Sequence, residues 1–151
     1  MRRILLLVAA CTLLFAADPW TPTDVITPEQ AAPRVKSSTT DGPFIIHVGF
    51  SVLYRAAHIA GSKYAGPGSK PEGLEELKKE IAGQPRTREI DLYCGCCPWD
   101  KCPNIRPAFA ALHEMGFQNV KVIQIPENLK ADWIDKGYPT EKRTEETAQT
   151  R

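Results

Sequence analysis

Residues 93–106, Tyr93-Cys94-Gly95-Cys96-Cys97-Pro98-Trp99-Asp100-Lys101-Cys102-Pro103-Asn104-Ile105-Arg106, set four thiols within nine positions. A thiolate attacks and carries a group, holds a soft metal such as Cu(I) or Zn(II), or cycles with a disulfide. A disulfide framework spreads its cysteines along a chain, so a cluster this tight points to chemistry or metal instead. The spacing C-x-C-C-x4-C is not the paired C-x2-C of a common zinc site. For a disulfide, adjacent Cys96 and Cys97 are strained partners, whereas Cys97 with Cys102 and Cys94 with Cys102 close more easily. A thiol at neutral pH is mostly protonated, so attack also requires something that lowers its pKa.

The flanking residues say how the thiols are positioned. Residues 90–93, apolar apart from Asp91, read as a short buried strand ending at Cys94. Ile105, Ala108, Phe109, Leu112 and Met115 recur at steps of three and four, which predicts a helix from about residue 104, stopped at Gly116. Pro103 suits a first helical turn. The thiols therefore occupy a loop between a strand's C-terminal end and a helix N-terminus, where an α/β sheet binds ligands. Helix N–H groups there favour a thiolate or persulfide anion, and the expectation is that they aim at Cys94. Lys101 and Arg106 are candidates to bind an anionic donor, and Trp99 to line the pocket mouth.

The rest of the 151-residue chain bounds the setting. Met1-Arg2-Arg3 followed by apolar residues 4–17 reads as a secretory signal peptide, too short for a comfortable membrane span. This predicts an exported protein, periplasmic or extracellular, beginning near Asp18 with no span left after processing. Cys11 sits in a lipoprotein-like Val8-Ala9-Ala10-Cys11, but the residues after it are apolar, which disfavours lipid anchoring. Net charge is +1 and no basic block stands out, so nothing points to nucleic acid or a polybasic membrane surface. In an oxidising compartment, four neighbouring thiols should readily form at least one disulfide.

Along the mature chain, residues 18–23 are a lead-in. Thr27-Pro28-Glu29-Gln30 starts a helix that Pro33 is expected to cut short. Residues 44–48 and 120–125 read as buried strands, 74–81 as a helix stopped by Gly83, and 129–135 as a short helix ended by Gly137. Residues 50–57 carry a helical turn, and 65–71 are loop. Residues 141–151 form a polar tail. Alternating strands and helices imply an α/β fold: a mostly parallel central sheet with helices on both faces.

The order of these features resembles the rhodanese-like sulfurtransferase family over residues 24–140, as one domain. The resemblance rests on His58-Ile59-x-Gly61, Tyr93-Cys94 at a strand end, Ala108-x3-Leu112-x3-Gly116-Phe117, and Trp133-x3-Gly137-Tyr138-Pro139. It implies a single rhodanese-like domain in which Cys94 is the catalytic residue. Cys94 would take sulfane sulfur as a persulfide from a small donor such as thiosulfate and pass it to a thiol or protein acceptor, with no cofactor. His47 and Gly49 stand where that family often carries Asp-x-Arg, and the loop is about five residues longer than usual. Cys96, Cys97 and Cys102 are then loop and resolving cysteines, with Cys102 as rival nucleophile. Under the alternative, Cys94, Cys96, Cys97 and Cys102 hold Cu or Zn, or form a redox module on the same fold. His58 and Gly61 read as structural, Trp133 and Tyr138 as core anchors, and His113 as a helix-surface residue.

Overall fold

The computed structural model describes residues 18–36 and 42–142. Residues 1–17, where the signal peptide and Cys11 are expected, and residues 143–151 lie outside the described residues. Five parallel strands form the central sheet: β1 (Val25–Ile26), β2 (Phe44–His47), β4 (Lys63–Tyr64), β5 (Ile90–Tyr93) and β6 (Val120–Ile123), in the order β1-β6-β5-β2-β4. A separate antiparallel pair joins β3 (His58–Ile59) to β7 (Thr140–Glu141). Among the described residues four α-helices accompany them, α1 (Pro28–Lys36), α2 (Ser51–Ala56), α3 (Pro71–Ile81) and α4 (Ile105–Glu114), and the short helix expected near 129–135 is a π-helix, Lys130–Ile134.

The period of two along each strand sorts the core into two layers. Ile46, Ile90, Leu92, Val120 and Val122 pack with Leu77 and Ile81 of α3 and with Ile105, Phe109 and Leu112 of α4. Ile45, Tyr93 and Ile123 pack with Ala31, Ala32 and Val35 of α1 and with Trp133. Helices therefore cover both faces, and strands buried on both sides read as the continuous apolar runs seen in the sequence.

Two local expectations need correction. Pro33 does not end α1, which runs on to Lys36. A proline six residues into a helix removes one backbone bond, and burial of Ala31, Ala32 and Val35 on the sheet holds the helix through it. Helix α3 does end at Ile81, with Ala82 as its C-cap and Gly83 next, although Gly83 lacks the positive φ of a left-handed cap. Glu141 belongs to β7 rather than to the tail, and Gly61 N–H donates to its carboxylate at 3.1 Å. Strands β1, β3, β4 and β7, two residues each, have no periodicity to read. The capping box at Thr27 does form: Thr27 N–H donates to Gln30 Oε1 at 2.8 Å and Gln30 N–H to Thr27 Oγ1 at 3.3 Å.

Asp91 on β5 faces α1 beneath Arg34, whose Nη1 stands 3.4 Å from Asp91 Oδ2 while the same guanidinium also pairs with Glu89. Burial pushes the Asp91 carboxyl up to about 6, outweighing that shared cation. A carboxyl raised above its unfolded value costs stability above its folded pKa, and the cost is relieved as pH falls toward 3.8. Asp91→Asn should therefore be more stable than the parent at pH 7, by up to about 3 kcal/mol. The advantage should vanish by about pH 4. Denaturant unfolding of both proteins at the two pH values checks this.

Candidate functional site

Strand β5 ends at Tyr93, and its terminus is fixed from several sides. Val48 N–H donates to Tyr93 O at 2.9 Å, and the buried Tyr93 hydroxyl accepts from Ile59 N–H at 3.1 Å and meets Ser62 Oγ at 2.9 Å. Cys94 follows directly, 3% exposed. Gly95 then turns the chain with φ +71°, and its carbonyl accepts from Leu129 N–H at 3.0 Å. A Cβ there would come within 2.8 Å of Leu129 Cβ, so both the conformation and the close approach require glycine. Trp99 N–H donates to Pro126 O at 3.0 Å, and residues Trp99–Lys101 make a single 3-10 turn before α4. The long loop is thus tied down by the segment after β6.

Within it the four thiols are free and form one cluster. Cys94 Sγ donates to Cys96 Sγ at 3.2 Å, and Cys96 Sγ is 3.1 Å from Cys97 Sγ. The sulfurs of Cys94, Cys96 and Cys102 lie within 4.8 Å of one another, with Cys97 outside that triangle. The fully buried Asn104 spans the first pair: its Nδ2 donates to Cys94 Sγ at 3.3 Å and lies 3.8 Å from Cys96 Sγ, while its Oδ1 accepts from Ser69 N–H at 3.1 Å.

The hydrogen bonds that Cys94 donates to Cys102 and Cys96, with its burial, push its thiol far above the ordinary range. Cys96, accepting from Cys94, is brought down to about 6. Cys102 is brought down to about 7, first by Cys94 and then by the N–H groups of Asn104 and Ile105. Burial pushes Cys97 up to about 12. The first proton to leave therefore belongs to the cluster: charge settles on Cys96 and Cys102, and Cys94 keeps its hydrogen. This corrects the expectation that helix N–H groups aim at Cys94. They reach Cys102, which lies nearest the first turn of α4, whereas Cys94 sits at the strand end.

A small cleft of about 10 Å³, room for about one water, lies beside the cluster, lined by Cys94, Gly95, Cys97, Trp99, Cys102, Ile105, Ile123 and Ile125. Among the described residues no cationic side chain lines it. Lys101 is exposed. Arg106 pairs with Asp18 at 2.7 Å, lies over the Trp20 ring at 5.3 Å, and its Nη1 donates to Cys102 O at 3.5 Å. Trp20 packs on Trp99 with ring centres 5.3 Å apart and on Phe109 at 5.6 Å, so the lead-in covers the outer side of the loop.

Across the sheet His47 ends β2, in register with Tyr93. Burial lowers it to about 4, so the ring is neutral at pH 7; its Nδ1 accepts Gly49 N–H at 3.3 Å, which leaves the proton on Nε2. Gly49 keeps this side open: a Cβ there would stand 2.9 Å from both Cys94 Sγ and His47 Cε1.

His58 donates from Nδ1 to Tyr54 O at 2.7 Å and stacks on that ring at 3.9 Å, beside Gly61 at φ +73°. Trp133 is fully buried, donates to Pro139 O at 2.9 Å and meets Tyr138 edge-on at 5.2 Å. His113 is half-buried against Phe109, 4.5 Å between ring centres.

Sequence reasoning missed Asn104 and Trp20 and left His47 unplaced. An Asn before a helical run reads as a cap, but here its side chain makes no cap bond and turns to the sulfurs. Trp20 in a proline-bearing lead-in carries no periodicity at all.

No protein-family model and no curated protein matches the chain. Solved structures do. The crystal structure of the Alr3790 protein from Anabaena sp. matches with a TM-score of 0.61 at 18% identity, over 82% of this chain and 97% of that one. A solution structure of the rhodanese-like domain of the same protein matches with a TM-score of 0.59 at 20% identity, over 80% of each chain. The crystal structure of the BH2092 protein from Bacillus halodurans matches with a TM-score of 0.56 at 16% identity, over 78% and 75%. At these identities the likeness is one of fold.

Proposed function

On the rhodanese-like fold that this chain has, we propose that it is a sulfurtransferase in which Cys94 takes a sulfane sulfur from a small donor and yields it to a thiophilic acceptor. The observation that carries this reading is the setting of Cys94. It stands at the C-terminal end of a central strand, its sulfur held by the Asn104 amide and in contact with a neighbouring thiol of low pKa.

Cys94 is a protonated thiol, so its nucleophilicity comes from handing its hydrogen to a neighbour. As Cys94 Sγ attacks the terminal sulfur of a thiol persulfide, its proton passes to Cys96 Sγ, with which it is already hydrogen-bonded. The new Sγ–S bond forms as the donor's S–S bond breaks. The donor leaves as a thiol, taking up one proton, so a persulfide and a thiol become a thiol and a persulfide. The Cys96 and Cys102 thiolates act as the local base, and Asn104 Nδ2–H supports charge on the reacting sulfur.

The lining of the cleft argues about the donor. A dianion such as thiosulfate meets no cation there, and burying unpaired charge is costly. A thiol persulfide should therefore load the protein at least about tenfold faster than thiosulfate. Arg106→Gln should change loading less than about twofold, its charge being spent on an exposed pair with Asp18. Loading rates with both donors check these statements. Export belongs to the same reading and rests on the apolar leader; N-terminal sequencing of exported protein beginning near Asp18 supports it, and a chain retaining residues 1–17 contradicts it. Among the described residues no helix is long and apolar enough to cross a membrane.

The triangle of Cys94, Cys96 and Cys102 sulfurs favours a second reading, capture of a thiophilic ion. Turnover separates the two. Metal-free protein should accelerate formation of thiocyanate from a thiol persulfide and cyanide above the uncatalysed rate. Protein that binds one Cu(I) or Zn(II) tightly and shows no turnover with any donor contradicts sulfur transfer.

A further inference from the structure

Cys94 and Cys96 are placed for a second event, which rests on the reading that Cys94 takes up sulfur. Their sulfurs are 3.2 Å apart. Displacement at sulfur runs in line, with attacker, attacked atom and leaving group close to one axis. If Cys94 carried an outer sulfur, in-line attack on that outer atom would require Cys96 to stand well beyond a full S–S bond length from Cys94 Sγ. At 3.2 Å it is too close for that, and lies instead at the near-attack distance of Cys94 Sγ itself. The outer sulfur then points away and leaves. We propose that Cys96 resolves the Cys94 persulfide by attacking its inner sulfur, so that the protein releases hydrosulfide and closes a Cys94–Cys96 disulfide, which an external dithiol reopens.

The step balances. The proton that Cys96 took from Cys94 has by then passed to the departing donor, so the Cys96 thiolate and the Cys94 persulfide become the Cys94–Cys96 disulfide and HS⁻. The Sγ–Sγ bond forms, the bond from Cys94 Sγ to the outer sulfur breaks, and the proton stays on the departing atom. The sulfane sulfur is reduced to sulfide by two electrons, and the two cysteines are oxidised by two. A dithiol reductant then returns both thiols and is itself oxidised to its disulfide.

Two features support this direction. The Asn104 amide lies against both sulfurs, at 3.3 and 3.8 Å, and so screens the charge that moves between them. Gly95, the residue between the two cysteines, has no side chain to resist the contraction that an S–S bond requires. Cys96 is half-exposed, so a reductant reaches the resulting bond.

The test is a single turnover. Fully reduced protein is mixed with excess thiol persulfide, desalted at once, and followed by intact mass and by trapped sulfide. The parent should release about one equivalent of hydrosulfide and end about 2 Da lighter than its reduced form, with a Cys94–Cys96 bond on peptide mapping. Cys96→Ser should hold an added mass of about 32 Da and release at least about tenfold less sulfide. Cys97→Ser should still end with the Cys94–Cys96 bond, because it keeps both sulfurs of that bond. Release at the parent rate from Cys96→Ser, or a Cys94–Cys102 bond in the parent, overturns the assignment of Cys96. A parent that keeps the added 32 Da without releasing sulfide overturns resolution while sulfur uptake stands. If neither protein gains mass nor releases sulfide, the sulfurtransferase reading fails, and this one with it.

Discussion

Cys94→Ser is expected to lower sulfur uptake at least about 100-fold, with every donor, while the fold survives. Serine is close in size to cysteine, and its hydroxyl can accept the Asn104 amide and donate toward Cys96 in place of the thiol. What it lacks is a sulfur on which a persulfide forms. The other three thiols do not replace it. Cys96 and Cys97 lie farther along the loop and are less buried, and so are less rigidly held. Cys102 is the serious rival, since the N–H groups of Asn104 and Ile105 favour its thiolate. Uptake that persists in Cys94→Ser and disappears in Cys102→Ser would move the carrier to the helix end. Uptake rates for the four single Cys→Ser variants decide between them.

The second large effect is at Asn104. Asn104→Leu keeps roughly the same volume in a fully buried position but removes the donor to Cys94 and the acceptor for Ser69 N–H. Ser69 is exposed, so water can take that N–H, and losing the bond costs about 0.5–1.5 kcal/mol of stability. Loss of the amide from the sulfur cluster should lower the uptake rate at least about tenfold. A merely structural role would lower stability alone. Support of the thiolates should also shift the pH profile of iodoacetamide alkylation: its midpoint should rise in Asn104→Leu, because the thiolate loses a hydrogen-bond donor. An unchanged midpoint would leave Asn104 as a packing residue only.

The long apolar strands and amphipathic helices were legible because burial imposes periodicity. Residues 90–93 and 120–123 alternate between two helix-covered faces, and α4 repeats at three and four. That was enough to place Cys94 at a strand end and Cys102 near a helix start. The two-residue strands were not legible, because pairs as short as Val25–Ile26 are stabilised by neighbours rather than by their own pattern. Pro33 misled because propensity was weighed without the apolar contacts that hold α1 together. The electrostatics of the loop were also out of reach. Which thiol keeps its proton depends on sulfur–sulfur contacts of 3.1–3.2 Å and on the inward turn of Asn104. Trp20 covers the loop from seventy-nine positions away, a contact that spacing cannot announce.

The central claim is that Cys94 is the atom that accepts sulfur. Rapid quenching tests it most directly. Reduced parent protein is mixed with excess thiol persulfide, alkylated within seconds, digested, and the peptides that carry Cys94, Cys96, Cys97 and Cys102 sequenced by mass. Sulfur acceptance at Cys94 predicts an added mass of about 32 Da, beneath the alkyl label, on Cys94 at the earliest times and before it is found on any other cysteine. An added sulfur that arises first on Cys96, Cys97 or Cys102, or none on any thiol while the donor is intact and in excess, would contradict it.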